Sequence, residues 1–159
     1  MRSKKETAMK NTEIEHKFLV RTDAFKAQAK ETHRIQQGYL CRDAERTVRV
    51  RICDEHAYLT IKSSVGHAGL SRFEWEREIA VSDAQEMLAF CLPGLISKTR
   101  YIIPIEGSER KWEVDVFHDR KEGLVMAEIE LSAEDEAFAR PEWLGEEVTG
   151  KPEYYNANM

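Results

Sequence analysis

Polar and apolar residues alternate with a period of two along most of this chain, which is the pattern of β-strands with one polar and one apolar face. In the first such run, Glu13, Glu15 and Lys17 share one face, while Ile14 and Phe18 share the other. Comparable runs follow at 35–41, 47–52, 58–62, 72–79, 97–105, 111–118 and 123–131. The pattern predicts eight short strands, joined mostly by hairpins.

Three helices are predicted from capping residues and helix-ending signals between the strands. Their predicted ranges are 23–31 after Thr22, 83–91 after Ser82 and 133–140 after Ser132. Eight antiparallel strands can close into a barrel, which removes the exposed edges of the sheet. The prediction is therefore an α+β fold, a closed eight-stranded antiparallel β-barrel or tunnel, with a charged interior and helices packed outside.

The charged residues of the strands are sorted by sign. The sets are Glu13 and Glu15; Arg49 and Arg51; Glu74, Glu76 and Glu78; Lys98 and Arg100; Glu113 and Asp115; Glu128 and Glu130. One charged strand face alone is best explained by exposure to water, but repeated doublets of like charge repel one another, and solubility favours mixed signs. Charges inside a barrel are costly to desolvate. The doublets therefore indicate a site for a polyanionic ligand with metal ions.

Composition restricts the class of protein further. The 159 residues carry a net charge of −5, from 24 Lys and Arg against 29 Asp and Glu, which argues against general nucleic-acid binding. The cysteines are Cys41, Cys53 and Cys91, odd in number and without a Cys-x-x-Cys pair, so a reducing compartment is expected. Because no apolar run has the length of a membrane span or signal peptide, the protein is predicted to be cytoplasmic and not membrane-bound. Residues 1–11 are predicted to be a flexible leader to a single domain over 12–159.

Phosphate chemistry would have to come from side chains, because the chain contains no Gly-x-x-x-x-Gly-Lys-Ser/Thr loop. The histidines show no metal-ligand spacing, and His16 is predicted to be a surface or structural residue on the apolar side of the first strand. The tryptophans Trp75, Trp112 and Trp143 are predicted to serve in packing.

The run Glu13-Ile14-Glu15-His16-Lys17 resembles the Glu-x-Glu-x-Lys signature of the CYTH domain, the triphosphate tunnel metalloenzyme superfamily. Further segments resemble family motifs in family order: Gln37-Gly38-Tyr39-Leu40, Arg49 with Arg51, Leu59-Thr60-Ile61-Lys62, Arg72-Phe73-Glu74-Trp75-Glu76, Lys98-Thr99-Arg100, Glu113-Val114-Asp115, Glu128-Ile129-Glu130 and Glu147-Val148-Thr149. The resemblance covers about 12–159. The short length, the Gln-Gly-Tyr-Leu run and the ending around Tyr154, Tyr155 and Asn156 are most similar to the bacterial tripolyphosphatase-type members.

The resemblance implies a tunnel that binds a triphosphate group with a divalent metal, in a homodimer. It implies a metal-dependent triphosphatase acting on inorganic tripolyphosphate or on nucleoside triphosphates. The alternatives are a class IV-type adenylyl cyclase, a thiamine triphosphatase, or a non-catalytic module that binds polyphosphate or a nucleotide. The number of carboxylates favours catalysis, because anion binding alone would need fewer of them.

Residue roles follow from the resemblance and agree with the chemistry of the side chains. Carboxylate oxygens are ligands for Mg²⁺ or Mn²⁺, whereas Arg and Lys neutralise phosphate oxygens. The predicted metal ligands are Glu13, Glu15, Glu74, Glu76, Asp115, Glu128 and Glu130. The predicted phosphate-binding residues are Lys17, Arg49, Arg51, Lys62, Arg72, Lys98 and Arg100. The residues predicted to take part in catalysis are Lys17, Glu13, Glu15, Glu128 and Glu130.

Overall fold

The computed structural model describes residues 14–64, 73–133 and 135–159, except the side chain of residue 157. The predicted leader and the predicted site residues Glu13 and Arg72 lie outside these ranges. Within them, the strands are β1 Ile14–Val20, β2 Glu31–Arg42, β3 Arg46–Cys53, β4 His56–Ser63, β5 Phe73–Ile79, β6 Ile96–Pro104, β7 Lys111–Phe117, β8 Val125–Leu131 and β9 Leu144–Glu147. The helical elements are one α-helix, α1 Val81–Leu88, and short 3₁₀ segments at Ala24–Gln28, Asp119–Lys121, Pro152–Tyr154 and Asn156–Asn158.

The described residues form two compact units: unit 1 contains 14–33 and 99–155, and unit 2 contains 34–98 and 156–159. The strand order is β6-β7-β8-β1-β9 in unit 1, which contains most of β6, and β5-β4-β3-β2 in unit 2, which contains most of β2. Strand pairs such as β1 with β8 and β3 with β4 are antiparallel. Within the described ranges, β5 and β9 each have a neighbour on one side only. Closure of the strands into a barrel, and the single domain over 12–159, therefore stay predictions.

The described residues form nine strands, one more than the eight predicted. The additional strand is β9, which pairs with β1 and lies in a part of the chain for which no strand was predicted. Its four residues are too few to show an alternation in the sequence. The other eight strands form close to their predicted positions, although β2 begins at Glu31 and is 12 residues long.

Two of the three helix predictions need correction. The predicted helix at 23–31 is a 3₁₀ segment of five residues, and in the described residues of the predicted helix at 133–140 no helix forms. There, the Glu136 carboxylate accepts a hydrogen bond from the Ser132 N–H at 2.6 Å. The Phe138 ring packs against Phe18 and Trp112. Glu136 also binds Arg110, and these tertiary contacts of Glu136 and Phe138 outweigh the local helix signals.

The helix after β5 forms at Val81–Leu88, two residues before its predicted start. Ser82 is not its cap, because the N-cap position is Ala80 and no side chain caps the helix. None of the helices in the described part of the chain has the length and apolar character that a membrane crossing requires.

Each unit packs one apolar sheet face into a core. In unit 1, Phe18, Val114 and Ile129 are buried with Phe25 and Trp143, which lie outside the strands. In unit 2, buried apolar residues of β3 and β4 pack against Ala84 of α1. Apolar burial of this kind contributes roughly 1.5–3 kcal/mol for each fully buried large side chain. Because side chains alternate along a strand, the charged residues of the same strands are held on the opposite faces.

Candidate functional site

The charged face of unit 1 is built by β1, β7 and β8. Lys17 lies directly opposite Glu128, Glu15 opposite Glu130, and Glu113 opposite Glu128. Residues directly opposite in an antiparallel pair project to the same side of the sheet. This face therefore carries Glu15, Lys17, Glu113, Asp115, Glu128 and Glu130, while the other face of the strands forms the core. The prediction that the doublets share a face is confirmed for these residues.

Lys17 is the buried centre of this face. Its ammonium forms an ion pair with Glu128 Oε2 and lies 3.8 Å from Glu15 Oε1. Only 3% of the Lys17 side chain is exposed. Burial disfavours the ammonium charge, but the neighbouring carboxylates outweigh burial, and the pKa of Lys17 is raised above its ordinary value. Lys17 therefore carries a positive charge throughout the neutral range.

Glu15 and Glu128 are neighbouring carboxyl groups that share a hydrogen bond. Burial, a hydrogen bond to Glu128 and the charge of Glu128 raise the pKa of Glu15 to about 7. Burial also disfavours the charge of Glu128, but hydrogen bonds from Glu15 and Lys17 and the Lys17 charge lower its pKa. Two carboxylates in one site resist losing both protons. The face thus carries negative charge that Lys17 alone does not neutralise.

Arg100 and Asp115 form a second buried pair on this face. Arg100 Nε donates to Asp115 Oδ1 at 2.7 Å, and Nη2 donates to Oδ2 at 2.9 Å. Arg100 Nη1 also lies 3.4 Å from Glu113 Oε1. Although burial opposes its charge, these acidic partners raise the pKa of Arg100. Arg100 therefore donates to both carboxylate oxygens of Asp115. The role of Asp115 as a metal ligand stays a prediction.

A cavity of about 220 Å³ lies beside the charged face of unit 1. It is lined by Glu113, Glu128 and Glu130 from the charged face, and by Glu109, Arg110 and Lys111 at the start of β7. Four carboxylates and two cationic side chains therefore surround one space. Such a lining suits a small charged ligand and is unlike the mostly apolar lining of sites for drug-like molecules.

The charged face of unit 2 is built by β2 to β5. Arg49 lies opposite Thr60 and Arg51 opposite Gln37, and Lys62 lies opposite Glu74. Arg51 Nε donates to Gln37 Oε1 at 2.7 Å, and Arg49 Nη2 donates to Thr60 Oγ1 at 3.4 Å. The Arg49 Nε atom is buried and has no hydrogen-bond partner within the described part of the chain. This buried guanidinium N–H is therefore available to an acceptor from outside the described residues, such as water or an anion.

The acidic residues of β5 have different surroundings from those of β8. Glu74, Glu76 and Glu78 are exposed. Glu76 Oε2 accepts from Thr60 Oγ1 at 2.6 Å and lies 3.8 Å from Arg49 Nη2. Glu78 Oε2 lies 2.7 Å from His56 Nδ1. The metal roles of Glu74 and Glu76 stay predictions.

Three further residues of unit 2 join this polar face and were not identified from the sequence. Asn156 Oδ1 accepts from Lys98 Nζ at 2.9 Å and from Gln37 Nε2 at 3.3 Å. Lys98, Gln37 and Thr60 are each 1% exposed. Gln37 and Thr60 occupy the same alternate positions as the charged residues beside them, so the alternation could have identified them. Asn156 lies in a segment without periodicity, and its one signal in the sequence is the resemblance of the ending around Tyr154, Tyr155 and Asn156 to family members.

Three comparisons place the chain among known proteins. A family model for the CYTH domain matches residues 11–157. An inorganic triphosphatase from Acetivibrio thermocellus is 46% identical over 148 residues, which cover 92% of this chain and 92% of that protein. One from Nitrosomonas europaea is 34% identical over 148 residues, covering 91% of this chain and 94% of that protein. A crystal structure of the inorganic triphosphatase NE1496 superposes with a TM-score of 0.70 at 30% identity, covering 92% of each chain.

Proposed function

The chain belongs to the CYTH domain family, and on this premise we propose that it is an inorganic triphosphatase, a metal-dependent hydrolase that cleaves a phosphoanhydride bond of tripolyphosphate. Two relatives of this name, each matched over more than nine-tenths of its length, support the substrate class. The observation that carries the proposal is the buried charge on the polar face of unit 1. Lys17 and Asp115 are 3% and 4% exposed, whereas charges on an ordinary solvated strand face lie in water.

The carboxylates of unit 1 fit a divalent cation. Glu15, Glu113, Glu128 and Glu130 offer hard oxygen donors on one face. Burial, together with a hydrogen bond to Glu128 and the charge of Glu128, raises the pKa of Glu15 to about 7. We assign Mg²⁺ or Mn²⁺ to this set, with Glu15, Glu128 and Glu130 as the principal ligands. When bound, the cation supplies charge neutralisation and polarisation of phosphoryl oxygens. Glu13, Glu74, Glu76 and Asp115 stay predicted ligands.

The basic residues are assigned to the phosphate groups. Arg49 has a buried N–H without a partner among the described residues, and Lys98 is 1% exposed while it donates to the neutral amide of Asn156. Arg guanidinium groups bind phosphate oxygens through two parallel hydrogen bonds, and Lys acts as a point charge. The proposed phosphate-binding residues are Lys17 and Arg100 in unit 1, and Arg49, Arg51, Lys62 and Lys98 in unit 2. Arg72 is proposed from the sequence.

Hydrolysis then needs little covalent chemistry from the protein. Phosphoryl transfer is accelerated mainly by positioning and by stabilising charge on the transferred group and the leaving group. In this proposal, Arg100, fixed by Asp115, and Lys17, fixed by Glu128, neutralise phosphate oxygens while water attacks in line with the leaving pyrophosphate. The family membership further supports a closed tunnel, a homodimer and a cytoplasmic location; light scattering of the purified protein tests the dimer.

Phosphate release from a panel of substrates tests the function. Tripolyphosphate, ATP, thiamine triphosphate and pyrophosphate are each assayed with Mg²⁺, with Mn²⁺ and with EDTA. We expect the highest kcat/KM for tripolyphosphate, only with a metal ion. Formation of cyclic AMP from ATP would instead identify a cyclase. Tight binding of tripolyphosphate without hydrolysis under every condition would identify a binding module.

A further inference from the structure

The segment that follows β9 holds the backbone of Lys17. The Val148 N–H donates to the Lys17 carbonyl oxygen at 2.8 Å, just beyond the last paired residue of β9. The Lys17 N–H donates to a side chain, the Oγ1 atom of Thr149, at 2.9 Å. A continuing strand would supply a backbone carbonyl at this point, but the chain turns at 149–150, where Gly150 has a φ of +84°. The Thr149 hydroxyl thus completes the hydrogen bonding of Lys17 where the strand ends.

The Thr149 hydroxyl is in turn oriented by Glu147. The oxygen accepts from Lys17, and the O–H donates to Glu147 Oε2 at 2.7 Å. His16 Nδ1 lies 2.9 Å from the same oxygen and carries the donated proton, because a carboxylate can only accept. Burial disfavours the Glu147 charge, but the hydrogen bonds from Thr149 and His16 outweigh it and lower the pKa of Glu147. The Lys17 carbonyl oxygen lies farther from the hydroxyl, at 3.4 Å, so the O–H is best directed at Glu147 and a lone pair of its oxygen faces the Lys17 N–H.

The other end of Lys17 is in contact with the same segment. The Tyr155 ring lies under the ammonium, with Nζ 4.7 Å from the ring centroid. The Tyr155 hydroxyl accepts from the Gly150 N–H at 3.0 Å, which ties the ring to the turn that carries Thr149. A cation over an aromatic face is attracted by the quadrupole of the ring. The segment after β9 therefore contacts both the backbone and the ammonium group of Lys17.

On the basis of the proposed function, we propose that Thr149 and Tyr155 are positioning residues, which together set the place of the Lys17 ammonium between Glu15 and Glu128 during triphosphate hydrolysis. A lysine ammonium moves freely on a stem of four carbons. Fixing both ends of the residue reduces that freedom before the substrate binds, and small misplacements of a catalytic group lower the rate. Neither residue needs to touch the substrate.

Paired variants of Thr149 and Tyr155 distinguish the loss of a contact with Lys17 from a change in the shape of the side chain. Thr149→Val keeps the shape and removes the hydroxyl, while Thr149→Ser restores it; Tyr155→Leu removes the ring, while Tyr155→Phe keeps it. The control is Thr32→Val, at an exposed position of β2. Because a typical hydrogen bond contributes about 0.5–1.5 kcal/mol, we expect Thr149→Val to lower kcat about 3- to 10-fold, with KM changed less than about twofold. Tyr155→Leu should lower kcat similarly, whereas Thr149→Ser and Tyr155→Phe should keep a kcat close to that of the wild type.

A measurement that does not depend on catalysis tests the positioning of Lys17 independently of the proposed function. The ¹⁵N resonance of the Lys17 ammonium, assigned by its loss in Lys17→Arg, should shift in Thr149→Val and Tyr155→Leu and stay unchanged in Thr32→Val. Wild-type protein that hydrolyses no tripolyphosphate would overturn the proposed function, and the resonance would still decide the positioning. An unchanged resonance in both variants, a kcat equal to wild type in both, or equal losses in Thr149→Ser and Thr149→Val would overturn the inference. If Thr149→Val does not fold, the comparison of Tyr155→Leu with Tyr155→Phe tests the inference.

Discussion

Lys17 and Glu128 lie directly opposite each other on β1 and β8 and form an ion pair in which 3% and 13% of their side chains are exposed. Buried ion pairs contribute little net stability, because desolvation offsets the attraction, yet the loss of one partner costs about 3–5 kcal/mol. A contribution to the stability of the fold therefore does not explain why Lys17 and Glu128 form a buried ion pair. A role in binding a charged substrate and its metal ion explains it better.

The first prediction concerns the acidic residues of β8. Glu128→Gln or Glu130→Gln keeps the size of the side chain but removes the charge proposed to hold the metal ion. We expect kcat for tripolyphosphate to fall at least about 100-fold, since a bound metal contributes several kcal/mol to charge stabilisation. Affinity for a non-hydrolysable analogue should fall less, because the basic residues remain. Steady-state rates and urea unfolding of each variant provide the measurements.

Glu142→Gln, an exposed change outside the charged face, is the matched control for these variants. Normal turnover in both Glu128→Gln and Glu130→Gln would refute the metal role of β8. A loss of turnover that merely follows the loss of folded protein would show in the unfolding curves.

The second prediction concerns Arg49 and Arg51 on β3. Replacing either by Ala removes a charge-assisted contact, which is worth roughly 1.5–3 kcal/mol, or about 10- to 100-fold in binding. We expect Arg49 to have the larger effect, because its Nε has no partner within the described part of the protein, whereas Arg51 Nε already donates to Gln37. Calorimetric titration with a non-hydrolysable triphosphate analogue and Mg²⁺ measures the loss.

Arg77→Ala is the control for Arg49 and Arg51, because Arg77 is an exposed residue of β5 that lies over the Trp75 ring. It removes the same charge from the protein without removing a proposed phosphate contact. Unchanged affinity in both Arg49→Ala and Arg51→Ala would refute the phosphate role of β3.

The period-two alternation was enough to predict eight of the nine strands in the described residues, and the shared face of charged residues such as Lys17, Glu113 and Glu128. It works because side chains alternate strictly along a strand and because each apolar face is buried. The same pattern has no information about partners, so the ion pairs of Lys17 with Glu128 and of Arg100 with Asp115 could not be read from it. Those pairings depend on strand order and register, which the sequence does not specify locally.

The errors lie where tertiary contacts replace local signals. The segment after Ser132 has a capping residue, a suitable length and Pro141 at its end, but Glu136 binds Arg110 and the Phe138 ring enters the core of unit 1. Similarly, Thr149 lies in a segment that resembles a family motif, yet its contact with the Lys17 backbone depends on β9, which was not predicted.

The third prediction concerns removal of the metal. With EDTA in excess, tripolyphosphate hydrolysis should stop, and Mg²⁺ or Mn²⁺ added above the chelator should restore it, because the carboxylates of β1 and β8 are proposed to act through the cation. Metal binding should also raise the unfolding temperature, since a ligand that binds only the folded state stabilises it. Hydrolysis that continues unchanged in EDTA would count against the proposed mechanism.

The last prediction concerns the stability of the metal-free protein between pH 5 and pH 8. The pKa of Glu15 is about 7 in the folded protein against an ordinary value of 4.5, so the folded state keeps a proton that the unfolded state has lost in this interval. Stability therefore falls as the pH rises from about 4.5 to about 7 and stays reduced above that. Because the Glu15 side chain is 40% exposed, water screens the effect, and we expect a loss on the order of 1 kcal/mol.

Glu15→Gln should remove this part of the pH dependence, because the amide does not titrate. The lowered pKa of Glu128 has the opposite sign but acts below its ordinary value of 4.5, and the raised pKa of Lys17 lies above 10.5, so neither titrates in this interval. His56, whose pKa is raised by Glu78, titrates equally in both proteins and cancels in their difference. Urea unfolding of both proteins in EDTA at pH 5 and pH 8 gives four free energies of unfolding. The same pH dependence in wild type and Glu15→Gln would contradict the raised pKa of Glu15.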